Sequence, residues 1–175
     1  MRAHMESEFS VSADPLAIEL PAHDGSTFNL AARRGIGPTT VVFFRGHWCP
    51  YCRHYLTRLQ RQSKNLNEGN RQLVAICPEP VHTCSALAHL LDLTYPLLSD
   101  TSGEVILRYG VRSGFRAVTA LLPHPAVFIF DADLKLRFRS IDKNYKRRAR
   151  MRTILDQLNQ IDGGRRSDPA EPTAS

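Results

Sequence analysis

The stretch from Phe43 to Leu56, FFRGHWCPYCRHYL, carries the residues best placed to do chemistry: Cys49 and Cys52, with Pro50 and Tyr51 between them. Thiols at positions i and i+3 of a helix start lie on one side of its first turn, close enough to form a disulfide. One thiolate can attack a substrate, and the other can then resolve the mixed intermediate. Pro50 suits the first helical position. The unpaired N–H groups and partial positive charge of that helix end favour thiolate over thiol. Arg45, Arg53, His47 and His54 can add positive charge nearby. Cysteines in such surroundings can ionise well below about 8.5, the ordinary thiol value.

Other readings of the same residues stay open. The two cysteines could be unreactive core thiols, or half of a zinc or copper site completed by Cys77 and Cys84. The Cys-x6-Cys spacing of that second pair is far from a short metal knuckle, and Pro50 makes a poor one. Cys77, at the end of a buried strand, and Cys84, near a helix start, are either auxiliary thiols or small core residues. Trp48 either narrows access to the thiols or packs in the core. His47, His54 and His82 are proton carriers or surface and capping residues.

The elements that must position these residues follow from the apolar pattern. Segments 16–20 (LAIEL) and 26–30 (STFNL) read as a hairpin around AHDG. Segment 39–45 (TTVVFFR) has the continuous β-branched and aromatic character of a strand covered on both faces. From Pro50 to about Asn67, Cys52, Tyr55, Leu56, Leu59 and Leu66 form one apolar helical stripe. A buried strand follows at 71–77 and a helix at 81–92, then YPLLSD and a short helix ended by Gly110. Segment 111–124 has little pattern. AVFIFD and LKLRFRS are two strands reversing at Asp131-Ala132-Asp133, and Met151, Ile154, Leu155, Leu158 and Ile161 stripe a last helix.

Strands alternating with helices, then an antiparallel pair, predict an α/β fold: a mixed central sheet with helices on both faces and an N-terminal β-hairpin. The strand before Pro50 and the strand 71–77 should run parallel through a right-handed crossover. The expected domain spans residues 14–162, with disordered ends at 1–13 and 163–175. A Pro before a core strand cannot donate to the sheet ladder, and X-Pro bonds are the ones that adopt cis geometry. A cis bond at His124-Pro125 would turn the preceding backbone towards the thiols, where it could bind an extended peptide or another thiol; Pro123 is the competing position.

Composition narrows the class. The chain has 175 residues, of which 42% are hydrophobic, enough for one full core. No apolar run approaches the roughly 20 residues of a membrane span. The opening MRAHMESEFSVSADP has acidic residues and no continuous apolar stretch, so it does not read as a secretory signal, and a cytoplasmic location is expected. Four cysteines suit catalysis or metal binding there better than structural disulfides. Much of the net charge of +6 lies in KNYKRRARMRTILDQLNQIDGGRR, read as the solvated face of a C-terminal helix. No aromatic-interleaved basic strand, zinc finger or recognition helix points to nucleic acid.

FFRGHWCPYC, YPLLSD and PAVFIFD together resemble the peroxiredoxin-like AhpC/TSA (redoxin) branch of the thioredoxin-fold superfamily, over residues 14–161. The resemblance implies a thiol-dependent oxidoreductase with no cofactor and no metal. Thioredoxin-like proteins attack with the first cysteine of the pair, here Cys49. The peroxiredoxin pattern Pro-x-x-x-Thr-x-x-Cys puts Cys52 at the peroxidatic position, Cys49 at the Thr and Arg45 at the Pro. The peroxiredoxin Arg before the late strand falls on Pro125, leaving Arg116 or Arg112 as stand-ins. The Cys-Pro-Tyr-Cys sequence also occurs in glutaredoxins, which implies a glutathione-type as well as a thioredoxin-type reductant.

The leading expectation is disulfide reduction, with Cys49 attacking, Cys52 resolving, and Trp48, Pro50, Tyr51, His124 and Pro125 shaping the substrate groove. Its alternative is a thiol-dependent peroxidase in which one of the two cysteines passes through a sulfenic acid. A metal-binding or redox-sensing module is the third reading. A protein or small thiol is the expected reductant, a disulfide or hydroperoxide the substrate, and a homodimer the assembly that the resemblance implies; neither nucleic acid nor membrane is an expected partner.

Overall fold

The computed structural model describes the backbone of residues 18–117 and 120–165, and the side chains of all of these but 115–117, 120 and 165. Strand β3 (Thr39–Phe43) lies at the centre of a five-stranded sheet, between β4 (Gln72–Cys77) and β8 (Ala126–Phe130). The order is β5-β4-β3-β8-β9, with β5 at Leu97–Ser99 and β9 at Leu136–Ile141. Strands β3, β4 and β5 run parallel; β8 is antiparallel to β3, and β9 to β8. Parallel neighbours need a crossover. Helices α1 (Pro50–Arg61) and α2 (Ser63–Leu66) supply it between β3 and β4. The helix expected to run unbroken to Asn67 is interrupted at Gln62, whose φ of −104° and ψ of 9° leave the helical range.

The alternation of side chains along a strand divides the core in two. Val42 and Phe44 face one layer with Leu56, Leu59, Leu87, Ile154 and Leu158, drawn from α1, α3 (Val81–Leu90) and α5 (Met151–Arg165). Val41 and Phe43 face the other, packed with Ile106 of the short helix α4 (Glu104–Arg108), Tyr109, Phe128 and Phe130. Gly110, at φ 64°, closes α4 as expected. The N-terminal hairpin is β1 (Glu19–Pro21) with β2 (Thr27–Asn29), and its Leu20 joins this second layer.

Two readings need correction, and the geometry at Pro125, which the sequence left open, is resolved. The weakly patterned stretch after Gly110 is a second ribbon, β6 (Arg112–Ala117) with β7 (Ala120–Pro123). It pairs outside the main sheet, and the exposed Arg112 and Gly114 broke any alternation. The basic run 143–150 is not helical, because α5 begins only at Met151. No peptide bond among the described residues is cis, so Pro125 is trans and does not redirect the backbone at His124. The N-terminus expected to be disordered lies outside the described residues, as does the C-terminal tail beyond Arg165; α5 passes the expected boundary at 162.

Candidate active site

Helix α1 starts at the point where β3 leaves the sheet. Cys49 is its N-cap residue in an extended conformation, and Pro50 occupies the first turn. The stripe of Cys52, Tyr55, Leu56 and Leu59 pulls α1 onto the sheet, which buries both thiols: Cys49 is 1% exposed and Cys52 fully covered. All four cysteines are free thiols.

Cys52 is the better-partnered sulfur. Its Sγ accepts the backbone N–H of Arg45 at 3.4 Å and the Nη2 of Arg148 at 3.1 Å. Burial pushes the Cys52 thiol above its ordinary range; the Arg45 N–H and the Arg148 charge pull the other way, and adjacent Cys49 pushes up again through a hydrogen bond and its charge. Desolvation thus outweighs the two donors in the reduced, closed site.

Arg148 comes from the connection between β9 and α5, whose basic sequence suggests a solvated helical face. Its Nη1 donates to the carbonyls of Tyr145 and Arg147 at 2.5 and 2.7 Å. The Tyr55 hydroxyl donates to Ala149 O at 3.1 Å, docking the same connection on α1. This fixed segment turns Arg148 inward while Lys146, Arg147 and Arg150 lie further out.

A cover of rings and one guanidinium lies nearby. The Arg45 guanidinium carbon is 4.9 Å from the ring centroids of both Trp48 and Tyr145. Tyr51 meets Tyr145 edge-on with centroids 5.8 Å apart. Trp48 is 49% exposed, so it is not a core residue. The loop before Cys49 is held by Glu79, which accepts the His47 backbone N–H at 2.8 Å and lies 2.5 Å from His47 Nδ1.

His124 and Pro125 line a pocket of about 210 Å3 with Arg45, Tyr145 and Lys143. Arg45 therefore belongs to both the thiol environment and this pocket. Burial, first, and the charges of Lys143 and Arg45 push His124 below its ordinary range; Asp142 opposes them. Arg112 is exposed on β6, and the side chain of Arg116 lies outside the described residues. His54 and His82 are exposed. Cys77 and Cys84 meet each other instead, with Sγ atoms 3.4 Å apart. Among the described residues, no group of three or more His, Cys, Asp or Glu side chains is arranged to hold a metal ion. No described helix is long and apolar enough to cross a membrane.

Arg148, Tyr145 and Glu79 were not anticipated from sequence. Glu79 left a faint signal as an acid between two prolines just after β4; Arg148 left none that separates it from its basic neighbours.

A dithiol at the first turn of a helix, following the central strand of this mixed sheet, defines a thiol-dependent oxidoreductase of the thioredoxin-like class. Residues 13–139 match the AhpC/TSA family, and the chain belongs to it. A Mycobacterium tuberculosis (strain CDC 1551 / Oshkosh) protein named as a candidate peroxiredoxin, MT1643, is 29% identical over 119 residues, 67% of this chain and 76% of that protein. The crystal structure of peroxidoxin BcpB from Mycobacterium tuberculosis superposes with a TM-score of 0.72 at 26% identity, covering 85% of this chain and 96% of that one. Peroxiredoxin 6 of Arenicola marina, crystallised as a cysteine-to-serine mutant, gives 0.74 at 17% identity over 88% and 75% of the two chains, a likeness of fold. The expected thioredoxin-like, peroxiredoxin-related fold is borne out.

Proposed function

We propose that the protein reduces hydroperoxides, with Cys52 as the peroxidatic thiol and Cys49 as the resolving one. The observation that carries this reading is the convergence of the Arg45 N–H and Arg148 Nη2 on Cys52 Sγ. Two donors aimed at one sulfur favour its thiolate and the charge it passes to a leaving oxygen. Arg148 takes the place of the Arg that the peroxiredoxin resemblance puts before the late strand, where this chain has Pro125. The Nε of Arg148 is buried with no hydrogen-bond partner, which leaves a further donor for an oxygen arriving at the sulfur. The family likeness to a peroxidoxin favours this reading over disulfide reduction led by Cys49.

The Cys52 thiolate attacks the terminal peroxide oxygen, the O–O bond breaks, and the alcohol or water leaves with a proton. Cys52 is then a sulfenic acid. The Cys49 thiolate attacks the Cys52 sulfur and displaces hydroxide, which leaves as water, closing the Cys49–Cys52 disulfide. A protein or small thiol reductant restores both thiols by exchange. Trp48, Tyr51 and Tyr145, joined through Arg45 and ring contacts, flank the helix start that carries the dithiol, and His124 and Pro125 shape the adjoining pocket. Four free thiols fit a reducing compartment such as the cytoplasm.

The test is oxidation by near-stoichiometric hydrogen peroxide, read by Trp48 fluorescence and by trapping with a sulfenic-acid reagent. Cys49→Ser should oxidise fast and retain the trapped adduct on Cys52. Cys52→Ser should react no faster than a free thiol. Fast oxidation that survives Cys52→Ser, or rapid reduction of disulfides without fast peroxide reaction, would overturn the assignment in favour of Cys49.

A further inference from the structure

The proposed reaction uses Cys49 and Cys52, and the same core cluster holds a second pair of cysteines. Cys77 ends β4, Cys84 sits in the first turn of α3, and both are completely buried. Their Sγ atoms are 3.4 Å apart. A disulfide needs about 2.05 Å, so the sulfurs have about 1.4 Å to close, within reach of small side-chain rotations. The hydrogen bond with Cys84, and then burial, push the Cys77 thiol well above its ordinary range, against a weaker pull from the Glu79 backbone.

The pair is wired to the catalytic loop by one residue. The Glu79 carbonyl accepts from Ser99 Oγ at 2.6 Å and faces the Cys84 thiol at 3.7 Å. The carboxylate of the same residue grips the backbone and ring of His47, two positions before Cys49 and next to Trp48. Closing a Cys77–Cys84 bond removes the Cys84 S–H donor and pulls on the loop 78–80 that carries Glu79. His47 and Trp48 lie at the other end of that contact.

We infer that Cys77 and Cys84 form a second, reversible disulfide, and that its state is passed to the active-site loop through Glu79. The inference goes beyond the peroxidase reading and does not depend on it. With glutathione disulfide as oxidant, one thiolate attacks it and releases one glutathione thiolate. The second cysteine then attacks the mixed disulfide and releases the other. The two protein protons pass to the two departing thiolates, so two thiols and one small disulfide become one protein disulfide and two small thiols. Burial and the high thiol range of Cys77 make this exchange slower than reaction at an exposed thiolate, and faster as pH rises.

The test uses the full chain with Cys49→Ser and Cys52→Ser together, which leaves Cys77 and Cys84 as its cysteines. The protein is equilibrated in graded glutathione/glutathione-disulfide buffers, its thiols are alkylated, and intact mass, peptide maps and Trp48 emission are read. Both thiols should be lost together into a Cys77–Cys84 bridge that dithiothreitol reverses. Trp48 emission should shift at the same midpoint, and adding Glu79→Ala should keep the bridge but abolish the shift. Two thiols that stay free across the series while circular dichroism remains native would overturn the inference. So would a bridge that forms only in urea, or one that leaves Trp48 unmoved. Should the double variant fail to fold, peptide maps of the oxidised natural sequence decide: a Cys77–Cys84 linked peptide supports the inference, and its absence refutes it. Peroxide turnover is not read in any arm, so failure here leaves the assignment of Cys52 standing.

Discussion

Arg148→Met removes the guanidinium donor on Cys52 Sγ while keeping an unbranched apolar stem. The contact is short, at 3.1 Å, and Cys52 is fully covered, so water cannot replace the lost donor without opening the site. A hydrogen bond to a charged group contributes about 1.5–3 kcal/mol, and each 1.4 kcal/mol or so is a factor of ten in rate. The second-order rate of Cys52 oxidation at neutral pH should therefore fall by about 10- to 150-fold. Burial holds the Cys52 thiol above its ordinary range, so both proteins should react faster as pH rises, up to about tenfold per unit while the thiol predominates. The assay is stopped-flow Trp48 fluorescence with hydrogen peroxide from pH 6 to 10, with Cys49→Ser in both proteins to isolate the first step. Curves that converge at high pH would show that Arg148 acts by stabilising the thiolate; a gap that persists would show that it also holds the peroxide oxygen. Arg148→Lys, which keeps charge but loses the fork, should fall between. A rate unchanged at every pH, or lowered no more than by the exposed control Arg147→Met, would refute the role given to Arg148.

Alkaline stability should follow the buried thiols and phenols. Burial pushes Tyr55 and Tyr95 up, and Cys52 and Cys77 are raised as well. The unfolded chain loses these protons at lower pH than the folded one, so stability is fully present below about pH 8.5 and falls as pH rises beyond it. Urea midpoints should be flat from pH 6 to 8 and lower at pH 10; a midpoint that rises with pH contradicts the assignment. Arg71→Ala should cost about 3 kcal/mol in urea unfolding, since it strips a buried guanidinium that joins Asp162 and Asn159 of α5 to Asn65 of α2. A loss below about 0.5 kcal/mol would show that the pairing contributes little beyond its desolvation cost. Arg45→Ala should loosen the ring cluster beside the dithiol, because it removes two cation–π contacts of about 0.5–1 kcal/mol each. Alkylation of the reduced dithiol by iodoacetamide should then speed up roughly tenfold, with a redder Trp48 emission; unchanged alkylation would mean that Arg45 does not limit access.

The parts of this molecule that could be read from sequence are those where one chemical pattern has one structural solution. A run such as TTVVFFR suits a strand covered on both faces, and Pro50 after Cys49 suits a first helical turn. The ribbon β6–β7 carries no such pattern: Arg112 and Gly114 are exposed on one strand while Leu122 is buried on the other. Arg148 was hidden for a different reason. In KRRAR the four cations have much the same local preference, and the docking of the connection on Tyr55 decides which of them turns inward. The expected helix over that run would have spread its cations around a solvated face. The irregular backbone instead aims one of them at a buried sulfur.

That placement also explains how this chain can have Pro125 where the peroxiredoxin resemblance expects an Arg. A peroxidatic thiolate needs a positive donor within hydrogen-bonding reach of the sulfur, and the requirement is on distance and direction rather than on a particular strand. Here the donor arrives from beyond β9, while Pro125 and His124 form the wall of the neighbouring pocket. The cysteine spacing follows the same logic. Cys49 stands where the resemblance places a Thr and lies against Cys52, so the position beside the proposed peroxidatic sulfur here holds a second thiol that can resolve a sulfenic acid.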